Sequence, residues 1–367
     1  MTKNKIEIRI AEPEDNQGLI NLGRECPMEA DITVYPDRSP DYTAIQKLID
    51  KDSYLAIGLE GSKIIGYLGC SYTELQINKI RFMGGVIADF KVSPDHRKGM
   101  VTYRVVKKVS DTEKNSKANL WVGLILTKNK APLPFIMGRV GFPKTIKVGR
   151  FNIRNFIPIR NLKIDPKFEI TQAEKNDIPE MSEVYMNFYS NNHLTPYFDK
   201  NTLDELIRKF KGLEIENFYL ARENGKIKSI MAAWDQSFYK RLVVLNFNPG
   251  PRFLIIMCRI LSLFMKIPKM PKRNKHLKVI NLVMTAHDNS TDAYKALLRF
   301  MNNKFRGSKY PILTLYLNSN SPLKKCLKGM IGATVGTDCY VSVENEEINN
   351  ILLNESDKIH PEWQIFL

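Results

Sequence analysis

One stretch of the chain combines residue types that bind phosphate with a spacing that would hold them together. An apolar, β-rich run ends at Val92, a turn containing Pro94 follows, and Arg97-Lys98-Gly99 leads into helical spacing from Val101 onward. The first turn of a helix has backbone amides without intrahelical acceptors, and the helix dipole adds partial positive charge there. Gly99 lets the backbone approach a ligand closely. The sequence therefore predicts a strand, a basic turn and a helix that together bind a phosphate group.

This stretch resembles the coenzyme A loop of the GNAT acetyltransferase superfamily, in which a strand, Val-x-Pro-x-x-Arg, a glycine-rich turn and a helix follow one another. Val92, Pro94, Arg97 and Gly99 match that pattern if one residue is deleted after Arg97, whereas the second glycine of the pattern is absent. The resemblance implies an acetyl-coenzyme A site. The residues it assigns to cofactor binding are Phe90, Val92, Arg97, Lys98, Gly99, Met100, Val101, Thr102 and Asn129. The alternative is an ordinary surface corner of an α/β protein.

Asp89 lies in the strand beside the position that the resemblance gives to the acyl thioester. A carboxylate there could deprotonate an amine substrate, directly or through water. The alternative is a structural ion pair, because charged strand residues usually have a partner. Many family members carry a tyrosine as general acid four residues before the glycine that corresponds to Gly141, and here that position is Met137. Asp89 is therefore the one predicted catalytic residue, and no metal site is predicted.

The chain is long enough for two domains and has the composition of a folded protein. It has 367 residues, of which 43% are hydrophobic and 26% charged. The formal net charge of +16 suits an anionic partner such as coenzyme A, nucleic acid or an anionic lipid surface, although the excess is spread along the chain.

Cysteine usage and the N-terminus predict a cytoplasmic protein. The five cysteines are widely spaced, without the close pairs of a zinc site or a small disulfide framework. Charges stand where a signal peptide would need its apolar core. The apolar run 253–268 carries Arg259 and Lys266 and is too short to span a membrane. Peripheral membrane contact through 252–278 is an alternative, but a helix covering the sheet is favoured.

The second half of the sequence repeats the first. A strand at 6–10 followed by a helix from residue 18 has its counterpart in a strand at 168–173 followed by a helix from residue 177. A hairpin also follows in both halves. We therefore predict an α/β (α+β) chain with two tandem GNAT-like domains, each a mixed, mostly antiparallel sheet flanked by helices. The predicted division is residues 1–160, the domain with the acetyl-coenzyme A loop, residues 167–345, a degenerate GNAT-like domain, and a C-terminal tail at 346–367.

The turn of the second half that corresponds to the coenzyme A loop has lost its cofactor chemistry. Residues 286–292 contain no glycine, arginine or lysine, and Asp288 and Asp292 would repel a pyrophosphate. The sequence predicts one coenzyme A per chain, bound in the first half, with the second half forming a wall of the acceptor cleft.

The resemblance implies an N-acetyltransferase that moves acetyl from acetyl-coenzyme A to an amine of unknown identity, by direct attack. Because Met137 replaces the tyrosine and one loop glycine is absent, a sensor or scaffold that binds a coenzyme A thioester without chemistry is the alternative. A transferase dependent on aminoacyl-tRNA is disfavoured, since no dense cluster of Arg and Lys with interleaved aromatic residues marks a nucleic-acid track.

Overall fold

The computed structural model describes residues 6–97, 99–141, 143–264 and 266–361. The strands are β1 (Ile6–Ile10), β2 (Ile32–Asp37), β3 (Tyr54–Glu60), β4 (Lys63–Ile77), β5 (Ile80–Val92), β6 (Leu120–Leu126), β7 (Ile146–Ile157), β8 (Glu169–Gln172), β9 (Thr195–Pro196), β10 (Phe218–Glu223), β11 (Lys226–Trp234), β12 (Arg241–Phe247), β13 (His276–Leu277), β14 (Val279–His287), β15 (Ile312–Asn318) and β16 (Ile331–Ser342). The helices are α1 (Asn16–Glu25), α2 (Ala44–Ile49), α3 (Met100–Thr112), α4 (Leu133–Ile136), α5 (Ile178–Ser190), α6 (Thr202–Lys209), α7 (Pro249–Leu261), α8 (Thr291–Lys304) and α9 (Glu346–Asn354).

Within the described residues, thirteen strands form one mixed sheet that runs through both halves. Its order is β1-β3-β4-β5-β6-β16-β7-β15-β14-β11-β10-β8, with β9 paired to β4. The pairs β5–β6 and β14–β15 are parallel, and the other recorded pairs are antiparallel. The predicted class, mostly antiparallel mixed sheet flanked by helices, is confirmed.

The two halves exchange strands at the centre of this sheet. β16, from the second half, lies between β6 and β7, and β7, from the first half, lies between β16 and β15. The predicted boundary near residues 161–166 falls between β7 and β8. The division into two folding units remains a prediction, because the halves share their central strands.

Helices cover both faces of the sheet in each half, and neighbouring strand residues show this. Ile57 belongs to the hydrophobic cluster under α1, whereas Ala56 belongs to the cluster under α3. Successive side chains of a strand point to opposite faces, so α1 and α3 lie on opposite sides. Leu220 and Ala221 divide in the same way between the clusters under α5 and α8. This arrangement confirms the repeat that the sequence predicted.

Local sequence explains the elements that hold the predicted site. The hairpin between β4 and β5 turns at Asn78 and Lys79, whose positive φ angles of 49° and 65° suit a two-residue turn between twisted strands. α3 buries one side through valines at helical spacing: Val101, Val105, Val106 and Val109. The strand, turn and helix thus follow one another as the sequence indicated.

A second, three-stranded sheet joins the halves on one side of the large sheet. β12 lies between β13 and β2, and β2 comes from the first half. The sequence did not predict β2, β7 or β16. Part of the segment predicted as a tail forms α9, in which Ile348 and Leu352 are buried. Among the described residues, no helix is both long and apolar enough to cross a membrane.

We expect the two halves to unfold together, because β7 is hydrogen-bonded to two strands of the second half. Phe156 of β7 is fully buried and pairs with Gly332 and Leu313. Phe156→Ala should lower the free energy of unfolding by about 3–5 kcal/mol, the usual effect of removing a buried phenyl ring. Urea unfolding followed by circular dichroism and by tryptophan fluorescence tests this.

The control is Leu353→Ala, which truncates a side chain that is 48% exposed and should change stability by about 0.5 kcal/mol or less. Two separate unfolding transitions, of which Phe156→Ala shifts only one, would show that the halves fold independently.

Candidate functional site

The candidate site lies where two parallel strands separate. β5 and β6 pair only over Gly84–Ile87 and Leu120–Gly123. Beyond that, β5 remains paired only with β4, and β6 remains paired only with β16, which lies along its other edge from Trp121 to Leu126. The result is a V-shaped opening in the sheet. Residues 88–92 of β5 form one edge of this opening, and the C-terminal end of β6 forms the other.

A β-bulge lies at the apex of the opening. Tyr67 pairs with Lys91 and Gly69 pairs with Ala88, so that one residue of β4 faces two residues of β5. Asp89 is in this bulge and has a φ of 59°, a left-handed conformation that non-glycine residues rarely adopt. Backbone strain of this kind persists only where the surrounding structure holds it in place.

The second half repeats the opening without its chemistry. β14 and β15 pair over Val279–Leu282 and Ile312–Leu315, the register shifts nearby, and Met284 has a φ of 50°. Met284 therefore occupies the position of Asp89. The geometry is common to both halves, whereas the carboxylate is specific to the first.

Asp89 is held by three partners. Its carboxylate lies 2.9 Å from Nη1 of Arg38 and 3.6 Å from Nζ of Lys91, and it accepts a hydrogen bond of 2.6 Å from the hydroxyl of Tyr42. The side chain of Asp89 is 10% exposed and that of Arg38 is 5% exposed. The pair is therefore a buried one, in which both charges have lost most of their water.

Lys240 adds a further cation from the second half. Asp37 of β2 pairs with Arg241 of β12, which places the following residue, Arg38, beside the preceding one, Lys240. Nη2 of Arg241 also lies 3.2 Å from the Asp37 carboxylate. The small sheet thus brings the two halves together at the site.

Burial and charge shift the titration of Asp89 and Lys240 in physically clear ways. Burial raises the pKa of the Asp89 carboxyl, but the charges of Arg38 and Lys91 outweigh it and lower that pKa to about 2. Burial, together with the nearby cations Arg38 and Lys91, lowers the pKa of Lys240 to about 8, although Asp89 acts in the opposite direction. Asp89 is thus a weak base. It forms the ion pair that the structural alternative expected, and its catalytic role remains a prediction.

The predicted phosphate loop lies at the end of β5 and opens α3. Arg97 donates through Nε to the carbonyl of Val92 at 3.5 Å, and Gly99 occupies the N-cap position of α3 without a capping side chain. The amide of Gly99 already donates to the carbonyl of His96 at 3.0 Å. Lys98 lies outside the described residues.

The remaining predicted contact residues differ in what they can present. The side chain of Met100 is 61% exposed, whereas Val101 is buried against the sheet, so that a ligand would meet its backbone amide. Thr102 is half-buried in the first turn of α3. Phe90 and Val92 belong to or pack against the core cluster under α3. These assignments remain predictions.

Asn129 and Met137 lie beyond the end of β6. Oδ1 of Asn129 accepts a hydrogen bond from the amide of Ala131 at 3.2 Å and so stabilises a turn. Met137 follows the short helix α4 and is 56% exposed. A thioether cannot donate a proton, so this position supplies no general acid.

The corresponding turn of the second half is closed to an anion. Ser290 caps α8, because its Oγ accepts a hydrogen bond from the amide of Ala293 at 3.2 Å. Asp288 is 2.6 Å from Nζ of Lys228. A side chain therefore occupies the helix N-terminus here, in contrast to α3.

A large cavity opens beside Asp89 and spans the two halves. Its volume is about 1820 Å³, and its lining includes Asp89, Lys91 and Lys240. Leu126 and Thr127 at the end of β6 and Ile255 of α7 also contribute. Small-ligand pockets commonly measure about 300–1000 Å³, so this one has room for a larger ligand or for two ligands together.

Solved structures match almost the whole chain at low sequence identity. N-myristoyltransferase from Saccharomyces cerevisiae with bound myristoyl-CoA matches with a TM-score of 0.60 and 11% identity, over 93% of this chain and 83% of that one. A GCN5-related N-acetyltransferase from Anabaena variabilis matches with a TM-score of 0.53 and 12% identity, over 93% and 74%. A GCN5-related N-acetyltransferase from Kribbella flavida matches with a TM-score of 0.51 and 10% identity, over 94% of this chain and 73% of that one. The protein has a GNAT-like fold.

At these identities the likeness establishes the GNAT-like fold alone. No protein-family model matches the sequence, and no curated protein matches it. The resemblance predicted from Val92, Pro94, Arg97 and Gly99 is nevertheless confirmed at the level of the fold.

Sequence reasoning found Asp89 and missed the groups around it. Arg38, Tyr42 and Lys240 are 51, 47 and 151 positions away in the numbering and belong to no recognisable motif. The sequence offered only a weak signal for these groups. Arg38 follows β2 and Lys240 precedes β12, but nothing in the sequence indicates that these two strands pair.

Asp89→Asn should destabilise the protein by about 3–5 kcal/mol at pH 7, because it leaves Arg38 as a buried charge without its carboxylate. The folded-state pKa of Asp89 is below the unfolded value of about 3.9. The contribution of Asp89 to the free energy of unfolding is therefore complete above about pH 3.9 and decreases as the pH falls towards 2. Urea titrations of both proteins between pH 7 and pH 3 measure the difference.

The matched control is Asp52→Asn, which breaks an exposed ion pair of 2.8 Å with Lys117 and should change the free energy of unfolding far less than Asp89→Asn does. Equal effects of the two substitutions, or an effect of Asp89→Asn that grows as the pH falls, would contradict the buried-pair interpretation.

Proposed function

We propose that the protein is an N-acyltransferase that moves an acetyl group from acetyl-coenzyme A to an amine by direct attack. The observation that carries this proposal is the opening between β5 and β6, which joins an uncapped helix N-terminus on one side to a large cavity on the other. A thioester arm laid along the free edge of β5 would place its phosphates at α3 and its acyl group beside the cavity. The solved structures with this fold are named as acyltransferases, which supports the class of reaction.

The cofactor would be held mainly by backbone groups of the first half. The edge of Phe90–Val92 offers hydrogen bonds to the pantetheine amides, and the amides of Met100, Val101 and Thr102 offer them to the pyrophosphate. Arg97 and Lys98 add positive charge, and Asn129 would lie beside the pantetheine arm. The capped, acidic turn of the second half disfavours a second coenzyme A.

We assign deprotonation of the acceptor amine to Lys240 rather than to Asp89. Lys240 lines the cavity, and its pKa, about 8, is close to physiological pH. The charged groups that act on it are Arg38, Lys91 and Asp89. Asp89 would then keep Arg38 and Lys240 in place and set how readily Lys240 loses its proton.

The proposed reaction balances without a further reactant. Neutral Lys240 takes a proton from the acceptor ammonium, and the amine nitrogen bonds to the thioester carbonyl carbon. The carbon–sulfur bond breaks, the second nitrogen proton is released, and the thiolate is protonated. The products are an amide and coenzyme A.

The acetyl group is the finer part of the proposal, since one matching structure holds myristoyl-CoA. Release of free thiol from coenzyme A thioesters of increasing chain length, over a panel of amines, tests the choice. Turnover that depends on an acceptor supports an enzyme, whereas binding without turnover would support the sensor alternative.

All five cysteines are buried and unpaired, which agrees with a reducing compartment such as the cytoplasm.

Isothermal titration calorimetry should give one acetyl-coenzyme A per chain. Arg97→Ala combined with Gly99→Asp should weaken binding by at least about tenfold, because a cation is lost and a carboxylate is placed against the pyrophosphate. Asp288→Asn, in the corresponding turn of the second half, is the matched control and should leave affinity unchanged. A stoichiometry of two would contradict a single site. Loss of binding only in Asp288→Asn would show that the cofactor binds in the second half.

The pH dependence of kcat/KM should rise through a pKa near 8 and should lose this rise in Lys240→Met. Asp89→Asn removes the negative charge that favours protonated Lys240, so the rise should move to lower pH. Acceptor-dependent thiol release across pH 6 to 10 measures both. An unchanged profile in Lys240→Met would remove Lys240 from the proposed reaction.

A further inference from the structure

One face of α7 and of the turn after it is apolar and exposed to solvent. Six large apolar side chains, between 41% and 82% exposed, follow this face: Phe253, Ile256, Met257, Ile260, Leu263 and Phe264. The first four have the spacing of one side of a helix. On the other side of α7, Ile255 and Cys258 are buried. An exposed apolar face of this size on a described surface usually marks a binding site.

A strongly basic cavity begins where this apolar face ends. It has a volume of about 790 Å³, and its charged and titratable lining residues are Lys266, Lys269, His276, Lys278, Arg306 and Lys309. No acidic residue lines it in the described part of the chain, and no ion pair to these cations is recorded there. Lys272, Arg273 and Lys275, in the intervening segment, are exposed as well. The cations are thus concentrated without the carboxylates that usually accompany them.

We propose that α7 and this basic cavity form a binding surface for the anionic face of a phospholipid bilayer. The apolar face enters the boundary between headgroups and acyl chains, and the cavity receives lipid phosphate groups. The apolar and cationic parts are continuous through Ser262 and Lys266, as an interfacial helix with a basic flank requires. Charge complementarity selects an anionic lipid surface over a neutral one.

The same segment borders the large cavity of the candidate site. Ile255 and Cys258 line that cavity, and Met270 and His276 line both cavities. Binding to a bilayer would therefore bring the opening of the large cavity close to the lipid surface. The lipid-binding proposal does not depend on the acyltransferase activity and is tested without it.

Flotation of the whole protein with phosphatidylcholine vesicles, with and without phosphatidylglycerol, tests the proposal at physiological ionic strength. We expect flotation with the anionic vesicles and little with the neutral ones. Phe253→Ser with Ile260→Ser should abolish flotation, and Lys266→Glu with Lys269→Glu should weaken it by at least about tenfold. Leu353→Ser and Lys324→Glu, also at exposed positions, should float like the original protein.

Three outcomes would overturn the proposal. The first is no flotation, or equal flotation with both kinds of vesicle. The second is a dimer without lipid that Phe253→Ser dissociates, measured by analytical ultracentrifugation, which would make the apolar face a contact between two copies. The third is binding of inorganic phosphate in the cavity, lost in Lys266→Glu, with no vesicle binding. Thermal melting of each variant confirms that it is folded.

Discussion

The site depends on a buried carboxylate that has more positive charge around it than it can neutralise. The Asp89 carboxylate lies within 3.6 Å of Arg38 and Lys91, and its charge raises the pKa of Lys240 nearby. Each of these charges has lost solvent, which costs several kcal/mol for an isolated ion. The Asp89 carboxylate offsets that cost for Arg38 by direct contact but leaves the region with a net positive charge. A region of this kind favours a neutral lysine and attracts an anionic group.

The fold builds this cluster from elements of both halves. β5 supplies Asp89 through a bulge, while the pairing of β2 with β12 supplies Arg38 and Lys240. The bulge gives Asp89 a left-handed backbone conformation and brings its carboxylate into contact with Arg38, Tyr42 and Lys91. In the second half, Met284 adopts the same backbone conformation without charged partners. The bulge is therefore a property of the fold, and the charge is a property of this site.

The sequence predicted those parts of the structure that depend on neighbouring residues. The valines of α3 and the turn at Gly99 are visible as local spacing, and so is the repeat of strand, helix and hairpin. β7 and β16 were not predicted, because each is specified by partners in the other half, about 180 positions away. Arg38 and Lys240 escaped for the same reason, since their proximity follows from the register of β2 and β12. Local pattern thus indicated the turn at Gly99 and the helix that follows it, but not the groups around Asp89.

The second half repeats the bulge and the helix N-terminus of the first half but places different side chains there. Ser290 closes the helix N-terminus that an anion would need, and Asp288 is paired with Lys228. In exchange, this half contributes Lys240, the wall formed by α7, and the strand that separates β6 from β7. Lys240 is half-buried, and desolvation together with the charges of Arg38 and Lys91 opposes its protonated form. Its place in the lining of the large cavity, together with Asp89 of the other half, is what supports the proposed role of Lys240 as a base.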